Sequence, residues 1–126
     1  PPDTGDLRGD LIGLARSVAT FMQGAQGTAV IRILLAQAGD AQLRQIAFEA
    51  YGEIGRHGPW VVLTRAEQRG ELRPGADHSL VLFTLAGAIL HRVFVEQRSA
   101  TPAFLEQVVD LLLQGIAAEP KAAGGR

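Results

Sequence analysis

The chain has no cysteine, which removes disulfides, thiol nucleophiles and zinc–thiolate centres from consideration. It has no basic excess either: 12 Lys and Arg stand against 13 Asp and Glu, a formal net charge of -1. A chain that grips a phosphate backbone by itself usually carries a basic stripe, and none is found. The histidines, His57, His78 and His91, are dispersed, without the spacing that gathers metal ligands on one helix face. Ser17, Ser79 and Ser99 lack a nucleophile-elbow context. No strand pattern is found, so no glycine-rich phosphate loop can follow a strand. The expectation is a chain without catalytic residues, metal or cofactor. No uninterrupted apolar run reaches the roughly 18 residues that span a bilayer, so no membrane partner is expected. The missing cysteines suit a reducing cytoplasm, the expected location. The start, Pro1-Pro2-Asp3-Thr4-Gly5, shows neither a signal-peptide pattern nor an initiator Met, and reads as a linker cut from a longer chain.

What is present is helix signal. With 126 residues, 47% hydrophobic and 20% charged, the chain has room for one ordinary globular core. Five helical segments follow from apolar spacing and caps. The first spans about 6–22, with Leu7, Leu11, Leu14, Ala15, Val18 and Met22 three and four apart; Thr4 or Asp6 caps it, and Gly24 and Gly27 end it. The second spans about 28–38 and should bury Val30, Ile31, Leu34 and Leu35. The third starts at Asp40, carries Leu43, Ile46, Ala47, Ala50 and Ile54 on one face, and meets Gly58-Pro59 before resuming over 60–69. An interior proline costs about 3 kcal/mol, so a kink or break is expected there. Asp77 caps a fourth helix over 78–97, and Thr101-Pro102 opens a fifth that runs to about Ala118. The expected fold is an all-α, five-helix orthogonal bundle over 6–118, with 1–5 as linker and 119–126 as a flexible tail.

The last two helices are too apolar for one small bundle. A helix on a bundle surface needs an apolar stripe, but the fifth spreads its large apolar residues over about twice that arc, and the fourth is apolar almost all round. Each large apolar side chain left in water forgoes about 1.5–3 kcal/mol of burial. A second copy is the simplest cover, giving a two-fold four-helix bundle with Leu82, Ile89, Val93, Leu105, Val109, Leu112 and Ile116 at the dimer interface. The alternative is full burial of both helices within a monomer.

Three strings on these helices and turns resemble one family. Thr4-Gly5-Asp6-Leu7-Arg8-Gly9-Asp10-Leu11 leads into the first helix, and Arg69-Gly70-Glu71-Leu72-Arg73-Pro74 turns before the penultimate one. The closing helix carries Phe104-Leu105-Glu106-Gln107-Val108-Val109-Asp110-Leu111-Leu112-Leu113-Gln114-Gly115-Ile116. In this order and spacing they resemble the C-terminal regulatory domain of tetracycline-repressor (TetR) family transcription factors. The resemblance implies a bacterial repressor that touches DNA only through a helix-turn-helix domain upstream of this chain. It implies homodimerisation through the last two helices and a small apolar or amphipathic effector held among the others. The chain departs from that pattern at Gly52, Gly55, Gly58 and Pro59.

Candidate ligand-binding residues fall in two groups. Thr84, Gly87 and His91 share a stripe of the fourth helix, where a polar group needs a partner and a ligand is one source. A core histidine satisfied by a carbonyl or by a cross-dimer contact is the other reading. Tyr51 and Trp60 flank the glycine-rich segment and could wall a pocket, against the plainer reading of a surface helix break. Phe21, Met22, Ile31, Leu35, Phe48 and Leu90 are core residues, or cavity lining if the bundle holds a cavity. A helical interaction domain with no small-molecule ligand is the alternative function.

Overall fold

Side-chain caps set most helix boundaries in the computed structural model, which describes residues 2–36, 39–46, 49, 58–115 and 118. Asp6 accepts from the Gly9 amide at 2.7 Å and starts α1 (Leu7–Gln23), which Gly24 closes. Asp77 accepts from the Leu80 amide at 3.0 Å and starts α4 (His78–Leu90). Thr101 accepts from the Phe104 amide at 3.2 Å, and Pro102 takes the first position of α5 (Pro102–Gln114). Between them lie α2 (Ala25–Ala36), a helical stretch over 41–46 capped by Asp40, and α3 (Pro59–Gln68). No strand occurs among the described residues. The chain is all-α, as its periodicity predicts.

Several boundaries differ from expectation. Gly27 does not end α1; it is buried inside α2, which starts three residues early and turns back on α1. Pro59, where a kink or a break is expected, begins a helix, because its missing amide is free of cost at the first turn. α5 stops at Gln114, where Gly115 takes φ +72°. α4 runs without a break into a π turn over His91–Val95, closed by the Glu96 amide on the His91 carbonyl at 2.9 Å. His78–Val95 is then one 18-residue helix of mean hydropathy 1.6, long and apolar enough by length and composition to cross a membrane. Ser79, Thr84, His91 and the charged Arg92 interrupt the apolar run within it, so no uninterrupted run reaches that length.

α1 is the hub. It packs against α2, α3, α4 and α5, and Leu11, Leu14, Ala15, Ala19 and Met22 supply its buried stripe. Val62, Leu63 and Ala66 of α3, Leu82, Leu85 and Ile89 of α4, and Leu105 and Val109 of α5 complete the core. His78 Nε2 lies 2.8 Å from Glu67 Oε2 and joins α4 to α3.

Arg8 joins α1 to α5, its Nε donating to Asp110 Oδ1 at 2.8 Å with Glu106 at 3.5 Å. The hydrogen bond from Arg8 and its charge hold the Asp110 carboxyl below the usual carboxylate range, and Asp110 raises the guanidinium pKa in turn. A depressed carboxyl contributes stability above its unfolded pKa and loses it as pH falls through the folded one. The stability gap between the wild type and Arg8→Ala should therefore be present at pH ~7 and close as pH drops below about 4. Urea midpoints across that range test it, and a gap that widens in acid would contradict the pairing. Both groups are exposed, so the gap is small.

Candidate functional site

The three strings meet in space, the first touching the third through Arg8–Asp110 and the second through Asp10–Arg69. Asp10, the one buried charged residue among those described, has no exposure, and its Oδ1 accepts from the Thr4 amide at 2.7 Å and the Thr4 hydroxyl at 2.8 Å. Its Oδ2 has no hydrogen-bond partner and faces the Arg69 guanidinium at 3.5 Å. Arg69 also reaches Glu71 at 3.2 Å, and Glu71 accepts from the Leu7 amide at 2.6 Å. The lead into α1 and the turn after α3 are thus tied through charged hydrogen bonds, the stronger kind. The sequence pattern marked both strings, but not that one buried carboxylate joins them.

An apolar cleft of about 380 Å³ opens at the far end of α1. Met22 closes one side, Ile31, Leu34 and Leu35 of α2 another, and Phe83, Ala86, Gly87 and Leu90 of α4 a third. Arg44, from the helical stretch over 41–46, stands at its rim. A Cβ on Gly87 would meet nothing within 4 Å, so the missing side chain widens the cleft. Trp60 packs edge-on against Phe83, ring centroids 6.5 Å apart. A second cleft of about 410 Å³, polar and open, lies by the π turn between Thr28, Arg32, Gln97 and Arg98.

The candidate ligand residues separate. Gly87 lines the apolar cleft and Trp60 backs it through Phe83. Phe21 is 43% exposed and outside the lining. Thr84 and His91 point outward: the Thr84 hydroxyl donates to the Leu80 carbonyl at 2.7 Å, and exposed His91 meets Glu96 at 3.2 Å. Phe48 and Tyr51 lie outside the described residues, as does the glycine-rich segment up to His57. Met22, Ile31, Leu35 and Leu90, read from the sequence as core or cavity lining, do line the cleft, whereas Arg44 was missed, since no local pattern links the 41–46 stretch to α1 and α2.

The residues expected at a dimer interface are also redistributed. Leu82, Ile89, Leu105 and Val109 are buried in the chain's own core, so their side chains are closed to a second copy. Val93 and Leu112 are half-buried against that core, and Ile116 lies outside the described residues. The outward face instead carries Leu80, Val95 and Leu111 at 62%, 64% and 57% exposure. Sequence alone could not say which side of α4 turns inward, because a helix apolar all round gives no preferred face. Excess apolar surface is not confined to α4 and α5 either. Val30, Ile33 and Leu35 of α2, and Leu43 and Ile46, all expected or available as core, are exposed as well.

A hub helix carries an apolar cleft at one end and an uncovered apolar face on its last two partners, in an all-helical domain. The chain belongs to the family described as "Tetracyclin repressor-like, C-terminal domain", whose family model matches residues 1–112. The "HTH-type transcriptional regulator AqdR" of Rhodococcus erythropolis is 28% identical over 123 residues, covering 90% of this chain and 55% of that protein. The chain thus spans about half the length of the curated relative it matches. No solved structure matches it.

Proposed function

We propose that the chain is the effector-binding and homodimerisation domain of a cytoplasmic TetR-type repressor, with DNA contacted through a helix-turn-helix domain upstream of it. The apolar cleft at the end of α1 carries this reading. Its volume is that of a small-molecule site, its walls are apolar, and it sits where four segments meet, so an occupant can favour one packing over another. The Thr4–Asp10–Arg69 cluster anchors the segment that would lead back to the DNA reader, giving a rigid attachment for any shift inside the bundle.

Two copies would meet across the outward face of α4 and α5, with Leu80, Val95 and Leu111 covered and Thr84 and His91 among them. Covering such side chains yields up to about 1.5–3 kcal/mol each, set against the freedom lost on association. Sedimentation should give a dimer for the wild type and a folded monomer for Leu80→Glu/Leu111→Glu. A wild-type monomer at micromolar concentration would remove the dimer from this account.

A further inference from the structure

The geometry points to an anionic amphiphile as the occupant of the apolar cleft: an alkyl or aromatic body with one acidic head group, its acid paired to Arg44. This deepens the reading of the cleft as an effector site and rests on it. Arg44 is the one charged residue among the described lining, and no Asp or Glu joins it there. Among the described residues the cleft therefore presents a single positive charge beside walls that are otherwise hydrocarbon. A guanidinium suits such a place, since it is weakly hydrated and offers a planar fork that matches a carboxylate in a two-pronged pair. Low-dielectric walls strengthen that pair and penalise an unpaired polar head of the wrong sign. Opposite Arg44, Phe83 and Leu90 with open Gly87 between them leave a trough for the body. A cationic amphiphile would meet like charge, and a neutral alcohol would offer the guanidinium one uncharged acceptor in place of a charged, two-pronged one.

Trp60 reports on occupancy, being the only tryptophan and packed on Phe83. Decanoate, 1-decanol and decyltrimethylammonium, titrated below their micellar range, should then separate by head group. Decanoate is expected to change Trp60 fluorescence saturably and to bind about tenfold or more tightly than decanol, with the ammonium weakest. Arg44→Gln should bring decanoate down to the level of decanol and leave decanol unchanged, and Arg44→Lys should restore part of the preference. Gly87→Leu, a helix-compatible change into open space, should abolish all binding with the far-ultraviolet dichroism intact. Equal binding of decanoate and decanol, or a preference that survives Arg44→Gln, overturns the acid assignment and leaves the cleft as a site for neutral ligands. Failure of all three probes to bind, or binding unaffected by Gly87→Leu, overturns the effector reading of the cleft and this inference with it.

Discussion

Gly27→Ala should destabilise the domain by about 1–3 kcal/mol or more, although alanine is the better helix former. The reason is a backbone contact. α2 begins directly after the Gly24 cap and doubles back on the end of α1, with the Thr28 hydroxyl on the Met22 carbonyl at 2.9 Å. A Cβ at Gly27 would collide with the Phe21 carbonyl, and neither backbone can yield as a side chain would. Relief requires α2 to swing away, which would uncover Ile31 and open the Met22 wall of the cleft. Gly87→Ala supplies the internal control. Its new methyl meets open space, so helix propensity alone should act and raise stability by up to about 1 kcal/mol. Chemical denaturation of the two variants decides the matter: equal effects, or a stabilised Gly27→Ala, would show that α2 does not approach α1 this closely.

Asp10→Ala is expected to cost about 1–3 kcal/mol, large against a total domain stability of about 5–15 kcal/mol. It strips the Thr4 amide and hydroxyl of their acceptor and leaves Arg69 with Glu71 alone. Asp10→Asn keeps an oxygen for Thr4 and loses the charge, so it should fall between Asp10→Ala and the wild type. Double-mutant cycles apportion the cluster. The Thr4–Asp10 pair, at 2.8 Å, should couple more strongly than Arg69–Asp10, at 3.5 Å with Arg69 28% exposed and able to rehydrate. A neutral Asp10→Ala would mean that the lead into α1 is held by something other than this carboxylate.

Most of the helical framework was readable from the chain, because caps are local chemistry. Asp6, Asp40, Asp77 and Thr101-Pro102 each place an acceptor at a helix start, and each does so in the structure. Gly27 misled because a glycine that stops a helix and one that lets two helices touch look alike in sequence. The faces of α4 could not be assigned, since neighbours and not the helix itself decide which apolar side is spent on the core. The π turn left no signal, and the cleft is a meeting of four segments. Asp10 read as a recognition string and proved to be its centre.

The position of α1 has a consequence for how the chain is made. Arg8 and Asp110 are 102 residues apart in sequence yet in direct contact, and the α1 stripe is completed by Leu105 and Val109. Of the described helices α1 leaves the ribosome before the others and must wait for α5 before its partners are complete. Until then its apolar stripe has only α2, α3 and α4 to lean on. Consolidation of the core waits for α5, the same helix that carries the outward-facing Leu111.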